Sequence, residues 1–179
     1  LDLLQVHMAP TKQVLEENDV IATMQELQSQ GKIRFLGMSG TIPNIVDHIA
    51  MGGFDVFQIP YSALQREHEE VITKAAQAGA GIIIRGGAAK GSLSQGKGQS
   101  DRQTLWQRAQ MDDLLDGMDT TEFILRFTLS HPGLHTTIVG TRSLQHLQDN
   151  LRAAAKGPLP PDVYAEAQRR LDEAVEKPA

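Results

Sequence analysis

Apolar residues along this chain fall into short unbroken runs, and between the runs they recur at helical spacing. Leu1, Leu3, Leu4 and Val6 form the first run, interrupted only by Gln5, and it ends at His7 before Pro10. Such a run predicts a strand buried on both faces, as in a parallel sheet. A polar loop leads to Asn18, read as an N-cap, after which Val20, Met24 and Leu27 recur at helical spacing until Gly31. KIRFLGMSG predicts the second strand, and Pro43 opens a helix carrying Ile45 and Ile49 and closed by Gly52-Gly53. DVFQIPY is the third strand, Val71, Ile72, Ala75 and Ala76 mark a helix ending at Gly79, and GIIIR is the fourth strand.

Residues 86–118 break the alternation. Their first part is rich in Gly, Ser, Lys and Gln and predicts a long loop, followed by a weak helical patch around Trp106 and Leu114-Leu115. Regularity returns when Thr120 or Thr121 caps a helix through Phe123, Ile124, Phe127 and Leu129, before the strand TTIVG. Ser143 then caps a helix through Leu144, Leu147 and Leu151, and Pro160-Pro161 starts a last helix with Val163, Ala167, Leu171 and Val175. Five strands alternating with about six helices argue for βαβ units, a parallel sheet and right-handed crossovers. An open doubly wound sheet and part of a (β/α)8 TIM barrel both fit that pattern. A dinucleotide-binding doubly wound fold should carry G-x-G-x-x-G after its first strand, and HMAP stands there instead, which favours the barrel. A whole barrel takes about 250 residues. The expectation is therefore a single domain, 1–179, forming a partial barrel whose earlier βα units are absent, a reading that also accounts for a chain opening inside a strand.

Composition narrows the partners. With 40% hydrophobic and 22% charged residues the chain reads as a soluble globular protein. The apolar run around Ile82-Ile83-Ile84 is far short of the roughly 20 residues needed to cross a bilayer, so no membrane partner is expected. A formal net charge of −5 with scattered Lys and Arg gives no footprint for nucleic acid. Small molecules are the expected partners, and no metal site is expected. The absence of cysteine excludes disulfides and thiolate chemistry and fits a cytoplasmic setting.

In a parallel barrel the chemistry sits at the C-terminal ends of the strands, which here are His7, Ser39-Gly40, Gln58, Arg85-Gly86 and Gly140-Thr141-Arg142. Together with LDLLQVH, QGKIRFLGMSG, FQIPYSALQRE, AGAGIIIRGGAAKGSLSQGK and TTIVGTRSLQHLQDNL, these ends resemble the aldo/keto reductases, NAD(P)H-dependent (β/α)8 oxidoreductases, from Leu1 to about Ala155. The resemblance places the chain from the fourth barrel strand onward. It implies reduction of an aldehyde or ketone by hydride transfer from NADPH, with NADH possible. His7 would be the catalytic histidine that donates a hydrogen bond to the substrate carbonyl. Ser39 and Gln58 would hold the nicotinamide carboxamide, and Gly40 replaces the Asn or Arg that often follows that serine. Without the resemblance, His7 reads as a strand-end histidine, Ser39 as a turn residue and Gln58 as a polar group at the edge of a core.

Arg85, Gly86 and Gly87 depart from the family's usual stretch. The glycines allow backbone to approach a pyrophosphate, and Arg85 would stack on the nicotinamide or bind a phosphate, in a loop taken over 85–91. Gly140, Thr141 and Arg142 open a helix whose N-terminus suits a phosphate. The resemblance puts Thr141 and Arg142 at the adenosine 2′-phosphate, His146 where relatives carry Arg or Gln, and Asp149 and Asn150 at the adenine. The family's acid is a Tyr supported by a Lys and an Asp on earlier strands. Tyr61 is read instead as packing beside the cofactor and Tyr164 as part of the last helix, so the chain alone is expected not to turn over. Two other functions fit the same resemblance and composition: a non-catalytic nucleotide-binding regulatory subunit, and a dimeric half-barrel acting as an interaction protein. The oligomeric state is left open by the sequence.

Overall fold

The structure, a computed structural model, describes residues 1–88 and 99–176. It divides into two compact units. The first comprises Leu1–Pro60, Glu67–Ile84 and Gly133–Thr136, and the second Tyr61–Arg66, Arg85–Pro132 and Thr137–Ala179.

The first unit is built on β1 (Leu3–Val6), β2 (Phe35–Ser39), β3 (Val56–Pro60) and β4 (Gly81–Arg85, its last residue falling in the second unit), with β5 (Thr136–Ile138) entering through Thr136. The strands lie side by side in chain order, β1-β2-β3-β4-β5. Where the register is defined it is parallel, with Leu3 opposite Phe35 and Gly37 opposite Val56. A doubly wound sheet reverses its strand order at a switch point, whereas an order that never reverses is that of a (β/α)8 barrel. Between the strands run α1 (Lys12–Glu17), α2 (Val20–Ser29), α3 (Asn44–Met51) and α4 (Glu69–Gln77). Alternation along each strand assigns Leu36, Met38, Phe57, Ile59, Ile82 and Ile84 to a buried face, while Gln5, Val56, Gln58 and Ile83 on the other are half-buried. The helices add Leu15, Met24, Ile45, Ile72 and Ala75 to the core.

All four residues of β1 are half-buried, not buried on both faces, because this strand ends the sheet and β2 alone pairs with it among the described residues. The polar loop after Pro10 contains α1, which Thr11 caps by accepting a hydrogen bond from the Val14 amide. Asn18 lies at the C-terminal end of α1, and Asp19, in the left-handed conformation, precedes α2 without a side-chain cap. Pro43, as expected, stands at the entry to α3.

The second unit holds α5 (Gln99–Arg108), a 3-10 turn at Met111–Leu114, α6 (Thr120–Leu129), the Thr137–Ile138 end of β5, α7 (Leu144–Ala155) and α8 (Pro161–Glu176). Trp106 is buried edge-on against Phe123, ring centroids 5.8 Å apart, and its indole N–H donates to Asp112 at 2.8 Å. That single anchor turns part of the expected loop into α5, because a buried tryptophan outweighs a polar local composition. Residues 89–98, which include part of the 85–91 loop, lie outside the described residues. The α6 cap is Asp119, one residue before the expected threonines, accepting from the Glu122 amide at 2.9 Å. Ser143 caps α7 as expected, accepting from the His146 amide at 3.3 Å. The apolar row on α7 is not core: Leu144 is 70% and Leu151 61% exposed, and Leu147 is exposed too, since α7 turns Ala153 inward. On α8, Ala167, Leu171 and Ala174 are buried and Val175 is exposed, because a row spaced by four residues drifts by about one position over three turns of 3.6 residues. No described helix is long and apolar enough to cross a membrane.

Candidate functional site

In the first unit, three neighbouring parallel strands end together. Val6 pairs with Met38 and Ser39 with Gln58, so the next residue, His7, continues the alternation on the face that carries Ser39 and Gln58. His7 is exposed. Ser39 is buried, and its carbonyl accepts the Ala9 amide at 3.2 Å. The Gln58 side chain is oriented by Gln5, whose amide donates to Gln58 Oε1 at 3.1 Å, and the Gln58 carbonyl accepts the Gly40 amide at 3.1 Å. Gln5, which reads as a polar interruption in β1, is therefore a neighbour that fixes the Gln58 side chain. Gly40 has a packing reason: a Cβ there would overlap the Ala9 side chain, so no larger residue fits beside Ser39.

In the second unit, the end of β5 and the N-termini of α6 and α7 border a cavity of about 860 Å³. Of the residues singled out from the sequence, Arg85, Gly86, Gly140, Thr141, His146, Asp149 and Asn150 line it. Ala88, from the 85–91 loop, lines it too, and so do Asp119, Thr120, Thr121, Ile138 and Val139, which were not expected to. Thr120 and Thr121 carry a helix-start signal in the sequence, but periodicity gives no sign that α6 begins beside the end of β5. Gly87 and Arg142 are absent from the lining. Gly87 is glycine for an internal reason: a Cβ would collide with the Thr137 hydroxyl and press on the Thr128 methyl at 3.0 Å, and the Thr128 hydroxyl lies 2.8 Å from the Gly87 carbonyl. Gly86 has φ +76 and open space where a Cβ would stand.

The cavity carries both signs of charge. Arg85 and His146 offer donors beside Gly140 and Thr141, while in the first turn of α7 the His146 amide is already donated to the Ser143 hydroxyl. The Thr141 hydroxyl accepts the Ser143 amide at 3.1 Å, which shapes the turn into α7. Asp149 is engaged on its own helix by Arg152 and by the side-chain amide of Gln145, which donates to it at 3.0 Å. Tyr61 does not pack at this cavity. It is fully buried, 5.1 Å from the His131 ring and 6.2 Å from Phe127, with its hydroxyl 3.3 Å from that of Tyr164 on α8. Among the described residues no group of three or more His, Asp or Glu side chains is placed to hold a metal.

The family model described as Aldo/keto reductase family matches residues 1–172. An uncharacterized oxidoreductase of Bacillus subtilis (strain 168), YqkF, is 23% identical over 169 residues, covering 86% of this chain and 55% of that protein. Among solved structures, an aldo-keto reductase from Bacillus halodurans in its holo form superposes with a TM-score of 0.80 at 23% identity, over 95% of this chain and 58% of its own. An aldose reductase from Giardia lamblia gives 0.65 at 16% identity, over 100% of this chain and 63% of its own. These likenesses show the fold to be that of part of a (β/α)8 barrel. The chain spans somewhat over half the length of the relatives it matches.

Proposed function

Because the chain belongs to the aldo/keto reductase family, we propose that it forms the nucleotide-binding part of an oxidoreductase that reduces aldehydes or ketones, with NADPH as cofactor. Its strands correspond on this reading to the fourth to eighth of the barrel, and residues 1–179 are part of one barrel domain. The observation that carries the proposal is the cavity of about 860 Å³ beside the start of α7, where Arg85 and His146 suit a phosphorylated ligand and the volume suits a nucleotide. The cofactor, when bound, supplies the hydride.

The chain's own residues bind and orient. Thr141, Arg142 and His146 hold the 2′-phosphate, with Arg142 reaching in from just outside the lining, and Asp149 and Asn150 meet the adenine. Ser39 and Gln58 offer a hydroxyl and an amide to the carboxamide, and His7 donates a hydrogen bond to the substrate carbonyl. Neither tyrosine is available as the proton donor, since Tyr61 is buried and Tyr164 faces it. Residues 1–179 therefore bind nucleotide without reducing carbonyls.

Titration of the chain with NADPH and NADH, followed by calorimetry, tests this reading. NADPH binds more tightly, and Arg142→Ala or His146→Ala weakens NADPH about tenfold, the loss expected for one hydrogen bond to a charged group, while NADH is unaffected. No binding of either nucleotide would overturn the proposal, and equal loss of both in the variants would remove the 2′-phosphate assignment.

A further inference from the structure

His7 is followed by two residues with positive φ, Met8 at 71° and Ala9 at 42°. Neither is glycine, and side-chain-bearing residues adopt the left-handed region reluctantly, so surrounding contacts must hold the turn. The contacts come from α3. Asn44 donates its side-chain amide to the Ala9 carbonyl at 2.9 Å, and one turn later His48 places Nε2 at 2.7 Å from the Pro10 carbonyl. A third bond runs from the Ala9 amide to the Ser39 carbonyl, and Ala9 closes against Gly40, which has no side chain to keep it away.

His48 is fully buried, and its ring meets Phe54 edge-on with centroids 6.2 Å apart. Burial pushes its pKa below the ordinary histidine value, against the pull of the Pro10 carbonyl and the Asp47 carboxylate in the opposite direction. The neutral ring carries one proton. A carbonyl only accepts, so that proton is on Nε2, and Nδ1 is left buried with no hydrogen-bond partner among the described residues. A leucine would spare the buried Nδ1 but would take the Nε2–H donor from the Pro10 carbonyl, and that bond is what the ring supplies here.

We propose that Asn44 and His48 are positioning residues: spaced one turn apart on α3, they clamp the carbonyls of Ala9 and Pro10 and so fix the left-handed turn that sets the direction of His7. The turn is thereby locked to the β2 end that carries Ser39, and two of the residues assigned to substrate and cofactor keep one spacing. The inference rests on the reading of His7 as the group that meets the carbonyl.

Amide hydrogen exchange followed by NMR on chain 1–179 tests the clamp. In Asn44→Ala and in His48→Leu the Ala9 amide exchanges about tenfold faster and the His7 ring and amide signals move, while amides in β3 keep their protection. His48→Gln, whose side-chain amide is able to donate to the Pro10 carbonyl, restores both. Unchanged Ala9 exchange in the folded variants would overturn the proposal. So would loss of protection spread evenly through the unit, which is a purely structural role, or a glutamine variant no better than leucine. Should His48→Leu fail to fold, the half-buried Asn44 position decides alone. The role of His7 is read separately, by comparing binding of a carbonyl ligand to the nucleotide-loaded chain with and without His7→Ala, so the clamp and the role of His7 fail independently.

Discussion

Gly86 and Gly87 stand side by side, and each is glycine for its own reason. Gly87 has no room for a methyl group because the Thr137 hydroxyl and the Thr128 methyl occupy it. Gly86 has the room but holds φ +76. Gly87→Ala is expected to destabilise the second unit by about 1–3 kcal/mol through overpacking. Gly86→Ala should cost about 1 kcal/mol through backbone conformation alone. Urea unfolding of the two variants separates them, and nucleotide titration should show Gly86→Ala, at the cavity wall, as the larger loss of affinity relative to its loss of stability. The run Arg85-Gly86-Gly87 announces itself in sequence as a place where backbone is special. It does not say which glycine serves a ligand and which a neighbouring threonine, because Thr128 and Thr137 lie some forty residues or more downstream. Gln5 was equally opaque: its partner Gln58 is two strands away in the sheet, and only the register brings their side chains together.

At the scale of the element, α8 couples its stability to acid. Glu166 accepts hydrogen bonds from Arg169 at 2.7 and 2.8 Å and from Arg170 at 2.7 Å, and these hold its carboxyl at about 2, below its ordinary 4.5. A lowered carboxylate pKa means that the unfolded chain binds the proton first as pH falls. The stabilisation is whole above about pH 4.5 and is lost progressively as pH drops toward 2. Thermal unfolding midpoints of the wild type and Glu166→Gln are expected to differ above pH 5 and to converge near pH 2; a constant gap across that range would contradict the assignment. Elements with strong periodicity, such as α4, α6 and α8, were legible in the sequence because one apolar row repeats over several turns. The helix α1 was not, and α5 was legible only as a weak patch around Trp106. Each buries little, Leu15 in one and Trp106 and its neighbours in the other, and a single anchor gives no period to read.

For the whole molecule, the parallel order of strands was legible because alternating runs and helices leave few topologies, and five strand ends matched a known family at once. What the runs concealed was how much apolar surface would remain uncovered. Ile138, Leu144, Leu147 and Leu151 are all exposed in the second unit, more than scattered surface residues account for. Chain 1–179 on its own is therefore expected to self-associate with rising concentration in sedimentation velocity. Leu144→Glu combined with Leu151→Lys should return it to monomer with little change in unfolding midpoint, whereas a wild type that stays monomeric at high concentration would show the row to be harmless. The strand order has a further consequence, in time rather than space. Since neighbouring strands among the described residues are consecutive in the chain, a ribosome adding about 5–20 residues per second delivers each such partner after the strand that awaits it. Among the five described strands none has to wait for a distant partner, so this run of the sheet is able to grow by accretion at its newest edge while synthesis continues.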